Sequence, residues 1–178
     1  VWHLLDTRTN MPITKLQTNG FGRVSLDKYN TIVMVSGNYK TLDSIQRNKL
    51  RDWIAKGNTL VTIASASKWV VDKKLVKEKL TKKPKPKEKD KKDEVKLVER
   101  LPYVDAGENL GKERLGGGIY QVDLDITHPI GFGYRNNILP VYKNNNVFLT
   151  PSANAYGTVA KYTKNPHIDG YISKNNMN

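Results

Sequence analysis

Residues 31–65 read TIVMVSGNYKTLDSIQRNKLRDWIAKGNTLVTIAS, and this stretch decides the fold. In TIVMVS and TLVTIAS the apolar residues run on without alternating. That is the pattern of strands buried on both faces, as in the middle of a parallel sheet. Between them, Leu42, Ile45, Leu50, Trp53 and Ile54 gather on one side of a helix and leave Arg47, Lys49 and Arg51 largely outside. Thr41 is placed to cap the helix N-terminus, Asp43 suits the positive end of its dipole, and Gly57 suits the position just past its C-terminus. Strand, helix, strand with short connections is a right-handed crossover, and it implies a parallel sheet covered by helices: an α/β fold.

Upstream, VWHLLDTRTN sets Trp2 and Leu5 three apart, with Val1 and Leu4 nearby, as on one face of a short helix that Pro12 ends. PITKL is then short and β-branched enough for a strand. Downstream, ASKWVVDKKLVKEKL can start a helix that runs into a lysine-rich stretch, and order should resume near RLPYVD. GGGIYQVDLD reads as a strand carrying Ile119, Val122 and Leu124, with NVFLTP and GTVAKY as further short strands. The chain starts at Val1 without a methionine and stops at SKNNMN without a terminal helix, so it reads as a fragment lacking terminal elements.

With 178 residues and 38% apolar content, the chain suits one ordinary domain with a hydrophobic core. No run approaches the roughly 18 to 20 apolar residues of a membrane span, and no secretion signal is visible, so the chain as given reads as soluble. The absence of cysteine excludes disulfides, thiolate nucleophiles and cysteine-based zinc sites, and leaves the redox compartment open. The net charge of +13 is concentrated: residues 73–96, KKLVKEKLTKKPKPKEKDKKDEVK, hold twelve lysines against five acids. This segment has no arginine and no aromatic residue, so neither base-reading forks nor stacking platforms are present, and specific nucleic-acid binding is not expected. A solvated, mobile insertion is the bland reading. Weak attachment to an anionic surface is the functional one.

The junction IASASKW lies where α/β hydrolytic folds place a nucleophile, on a tight strand-to-helix elbow flanked by small residues. For Ser65 the residues two before and two after are Ile63 and Ser67; for Ser67 they are Ser65 and Trp69. Neither serine has the required surroundings, so both read as cap or turn residues. His3, His128 and His167 are widely separated, with no HExxH pairing. In LDITHPIGFGY, residues 124–134, Pro129 restricts His128 to an extended or turn conformation, while Gly131 and Gly133 permit sharp backbone changes. Asp125 and His128 beside Asp123 form a weak metal candidate. The structural alternative is a tight corner across which His128 hydrogen-bonds, with Phe132 and Tyr134 folding inward as apolar anchors.

Several phrases together, VWHLLDTRTNMPIT, YNTIVMVSG, LRDWIAKGNTLVTIASASKWV, RLPYVDAG, DLDITHPIGFGY and LPVYKNNNVFLTPSANAYGTVAKYTKNPHIDGYIS, resemble the domain that follows the catalytic domain in large zinc carboxypeptidases of the Bacteroidetes type. That domain looks like a class I glutamine amidotransferase, which implies a flavodoxin-like, three-layer α/β fold with a mostly parallel sheet flanked by helices. The resemblance spans residues 1–178 as a single domain, apart from the insertion at about 73–96. It implies that amidotransferase activity is absent, because active members carry a cysteine on the elbow where this chain has IASAS. No catalytic, cofactor or metal residue is therefore assigned. Zinc is implied only for the upstream peptidase domain of the same chain, which would be this domain's partner, and a secreted or periplasmic, outer-envelope location is implied with it.

The function expected is a non-catalytic accessory domain of a zinc carboxypeptidase, or alternatively a stand-alone ligand- or polyanion-binding module on the same scaffold. If a pocket persists at the carboxyl ends of the strands, its candidate residues are Ser65, Ser67, Asp125, His128 and Tyr134.

Overall fold

The computed structural model describes residues 1–81, 100–111 and 115–172. Residues 82–96 of the lysine-rich segment, and with them most of the expected insertion, lie outside the described residues. The chain gathers into two compact units, Val1–Lys77 and Glu78–Asn178.

The crossover is present in the first unit. Strand β1 (Thr31–Met34) leads to helix α2 (Ser44–Ala55), strand β2 (Thr59–Thr62) and helix α3 (Ser65–Asp72). β1 and β2 pair in parallel, from Thr31 opposite Thr59 to Met34 opposite Thr62. Asp43, not Thr41, caps α2. Its carboxylate accepts the Gln46 amide at 2.8 Å, while its own amide donates to the Gln46 side chain at 3.0 Å. This reciprocal pair satisfies two otherwise orphaned donors, an advantage Thr41 lacks at its position. Gly57, just past the helix, has φ +93°, a conformation glycine adopts without a side-chain clash.

The α2 stripe packs with Phe21, Leu26, Met34, Leu42, Ala66 and Val70 into one core around Leu50 and Trp53. Trp53 is 2% exposed, and its indole N–H is shared between the Leu26 and Tyr29 carbonyls, both at 3.0 Å. Burying a side chain of this size contributes on the order of 2–3 kcal/mol. Ile45, expected in the stripe, is 76% exposed. At about 100° per residue it stands roughly 140° around the helix from Leu50. Lys49 turns inward at its tip, donating to the Gly22 and Val24 carbonyls at 2.8 and 2.6 Å.

Burial of the two strands is one-sided. Ile32, Met34 and Leu60 face the core, whereas Val33, Val35, Val61 and Ile63 on the other face are 38–46% exposed. The cause is that α2 and α3 contribute to the same core cluster.

Helix α1 (Trp2–Thr9) forms, but none of its residues is buried. PITKL forms no strand, and among the described residues β1 has β2 as its sole partner in the sheet. α3 stops at Asp72 instead of running on, because Lys74 takes a left-handed φ of +56° and the Leu75 amide turns back to the Val70 carbonyl.

In the second unit, helix α4 (Ala106–Gly111) precedes strands β3 (Gly118–Leu124), β4 (Ile138–Lys143) and β5 (Ala160–Gly170). They form an antiparallel sheet ordered β4-β3-β5, so among the described residues parallel pairing is confined to β1 and β2 and the sheet is not the mostly parallel one expected. The physical reason lies in the connections. Between β3 and β4 the chain makes only a short 3-10 turn, Pro129–Gly131, and without a helical crossover a strand returns antiparallel. β3 alternates strictly, with Tyr120, Val122 and Leu124 buried on one face. Tyr120 packs edge-on against Tyr162 and His167, with ring centroids 6.0 and 5.8 Å apart. Pro140 and Pro166 both lie on edge strands, where a missing N–H is tolerated. NVFLTP contributes a single bridge, Leu149 to Leu80, instead of a strand. No helix among the described residues is long and apolar enough to cross a membrane.

Candidate functional site

In the first unit the carboxyl ends of two parallel strands meet the start of α3, the place where open α/β sheets bind ligands. The chain turns from β2 into α3 at Ala64, whose backbone has φ +53° and ψ −114°. A residue with a Cβ is strained there, at about 1–3 kcal/mol, and such strain concentrates at functional turns. A sharp, strained strand-to-helix turn is the backbone signature of a nucleophile elbow. Here the elbow residue is alanine, whose methyl group can neither attack nor donate.

Ser65 and Ser67 follow the elbow without occupying it. The Ser65 hydroxyl accepts the Gly37 amide at 2.9 Å, donates to the Gly37 carbonyl at 3.1 Å and lies 3.0 Å from the Ser36 hydroxyl. It ties the loop after β1 to the start of α3. Ser67 pairs with the Thr62 hydroxyl at 3.0 Å. Among the described residues neither serine meets a histidine or a carboxylate, so neither has a base to activate it.

Asp125, His128 and Tyr134 stand together in the second unit, at the corner after β3. The Asp125 carboxylate accepts the Thr127 amide at 2.9 Å and the Thr127 hydroxyl at 2.6 Å. These hydrogen bonds, hydroxyl first, hold its pKa below the usual carboxylate value, with a smaller contribution from His128. His128 adopts the extended backbone that Pro129 demands, and its Nδ1 accepts the Ile130 amide at 3.1 Å, capping the 3-10 turn. Its own amide donates to the Asp125 carbonyl at 3.2 Å and its carbonyl accepts from Gly131 at 2.8 Å. The corner is closed tightly: a Cβ on Gly131 would lie 2.5 Å from the Asp125 carbonyl oxygen.

Phe132 and Tyr134 do not fold inward; they are 90% and 55% exposed, and Ile130 is 75% exposed. With the turn fixed by backbone hydrogen bonds and by Gly131, these side chains are not needed as anchors and project into solvent. Asp123, the third member of the metal candidate, is engaged by the Asn137 amide group at 3.0 Å and by Lys161 at 3.8 Å. Among the described residues no three histidine, aspartate or glutamate side chains converge as a metal site requires.

The five sequence candidates thus divide into a serine pair at the α3 junction and a hydrogen-bonded corner after β3. Sequence reasoning missed Ala64 itself, one residue before the serine it tested. It also missed a groove of about 1170 Å³ beside β1, lined by Trp2, Ile13, Leu16, Phe21, Val33 and Val35 among others. The strand-helix junction marked the place of the first but not its conformation, and Ile13 and Leu16 of PITKL, which forms no strand, were the signal for the second. No protein-family model, curated protein or solved structure matches the chain.

Proposed function

We propose that this chain is a non-catalytic accessory domain on a flavodoxin-like, three-layer scaffold of the class I glutamine amidotransferase type, carried beside the peptidase domain of a Bacteroidetes-type zinc carboxypeptidase. The observation that carries the reading is Ala64. The turn keeps the strained backbone of an elbow, yet the residue at its apex has no nucleophilic atom. The parallel β1-α2-β2 unit and the long phrases quoted above support the scaffold. The open apolar face of Val33, Val35, Val61 and Ile63 suits a domain that packs against another body. Zinc, and the hydrolysis of peptides, belong in this reading to the partner domain, in a secreted or periplasmic protein.

The test is made on a protein that carries this chain beside the peptidase domain the proposal assigns to it. Carboxypeptidase activity that needs zinc and survives Ser65→Ala, Ser67→Ala and His128→Ala is expected, with no release of ammonia from glutamine. Glutamine hydrolysis that one of these substitutions removes, or a longer protein with no zinc-dependent peptidase activity, would overturn the proposal.

A further inference from the structure

We infer that the outer edge of β1 is a docking site for an extended, acidic stretch of a separate polypeptide, which adds to the sheet as a third strand. The inference starts from the direction of the backbone groups. The Thr59 amide donates to the Asn30 carbonyl at 2.9 Å and the Ile63 amide to the Met34 carbonyl at 2.9 Å, so Asn30, Ile32 and Met34 turn their amides and carbonyls toward β2. The alternate residues Thr31, Val33 and Val35 turn theirs the other way.

On that side β1 has no strand partner among the described residues, and only the Val35 carbonyl is engaged, by the Tyr39 hydroxyl. An unpaired, apolar strand edge is a template for another strand. Here it is also recessed. The groove of about 1170 Å³ borders it, and residues Met11 to Thr18 also line that groove. The occupant that suits such a groove is a single extended chain, because the β1 edge of a second copy sits in a groove of its own.

Charge selects its chemistry. Asp27, Lys28 and Lys15 all border the groove. The Asp27 carboxylate is neutralised by Lys56 at 2.9 Å, which leaves the exposed Lys15 and Lys28 as its uncompensated side-chain charges. Lys15 is held in place over the Trp2 ring, 4.0 Å from its centroid. A strand with apolar residues at alternate positions and acidic ones between them would satisfy the outward amides of Thr31 and Val33, continue the apolar face of Val33 and Val35, and meet both lysines.

The experiment follows the Val33 amide of the full chain by NMR, in hydrogen exchange and in titration. The probe is an eight-residue peptide, blocked at both ends, that alternates valine and glutamate; its comparison alternates valine and lysine. The expected result is a rapidly exchanging Val33 amide in the free chain, saturable protection by the glutamate peptide, and weaker binding of the lysine peptide. The double variant Lys15→Glu, Lys28→Glu changes exposed residues only, and should lower affinity for the glutamate peptide about tenfold, removing its advantage.

Absence of saturation, or equal binding of the two peptides, overturns the proposal. So does a Val33 amide already protected without peptide. Protection independent of protein concentration would then assign the edge to Pro12–Leu16 of the same chain, and protection that grows with concentration to a second copy.

Discussion

Ser65 grips Gly37 from both sides, accepting its amide at 2.9 Å and donating to its carbonyl at 3.1 Å. One hydroxyl thereby joins the loop after β1 to the first turn of α3 across 28 residues of sequence. Ser65→Ala removes both bonds and is expected to cost about 1 kcal/mol. Ser67→Ala, which loses one contact to Thr62, should cost less. Urea denaturation followed by tryptophan fluorescence checks the order; equal midpoints for Ser65→Ala and the parent would remove the strap.

The start of α2 gives a sharper comparison. Asp43→Ala breaks both halves of the reciprocal pair with Gln46 and should destabilise the first unit by about 1 kcal/mol. Thr41→Ala, at the position favoured by sequence alone, should change stability by less than about 0.5 kcal/mol. The reverse order in denaturation midpoints would return the cap to Thr41.

At the indole of Trp53, Trp53→Phe keeps most of the apolar bulk but withdraws the shared N–H from the Leu26 and Tyr29 carbonyls. A loss of about 1–3 kcal/mol is expected, from two acceptors left short of a partner. Trp53→Ala should cost more, about 3–5 kcal/mol, because it also leaves a cavity in the core. Calorimetry or denaturant titration separates the two.

The corner after β3 carries a pH dependence whose sign can be worked out. Asp125 has a folded pKa below its ordinary value, so its hydrogen bonds stabilise the fold above that ordinary pKa. The contribution fades as pH falls through the folded pKa. Thr127→Val deletes the hydroxyl donor while keeping the amide, so the Asp125 pKa should move up toward the usual carboxylate value. A carboxyl titration by NMR tests this, and an unmoved Asp125 pKa would assign the shift elsewhere. In the same corner, Gly131→Ala should destabilise more than His128→Ala. The first drives a Cβ against the Asp125 carbonyl, and the second gives up one cap to Ile130.

The crossover was legible because its signals were local: two uninterrupted apolar runs, a helical stripe through Leu50 and Trp53, and Gly57 beyond it. The error of two residues at the cap arose because Thr41 and Asp43 are both good capping types. Only the reach of Gln46 back to residue 43 decides between them. Both-face burial was overread at Val33 and Val61, since an apolar run reports the capacity of a strand to be covered and not which neighbours are present to cover it. The antiparallel sheet was hidden by distance: β3 meets β5 through Tyr120 and His167, 47 positions apart in the numbering, and no local pattern encodes that pairing. At the candidate site, the hydrogen-bonding role of His128 could be read from Pro129 and the flanking glycines. Ala64 could not, because an alanine announces no chemistry and its conformation exists only in the backbone.

The turn at Ala64 has a consequence for engineering. A single base change in an alanine codon gives glycine, which tolerates positive φ without a Cβ clash and would relieve part of the roughly 1–3 kcal/mol held there. Ala64→Gly should therefore raise the unfolding midpoint, offset in part by the greater freedom of glycine in the unfolded chain. A turn strained in this way is a store of stability one codon away from release, and the same backbone could present a reactive side chain in place of the methyl group.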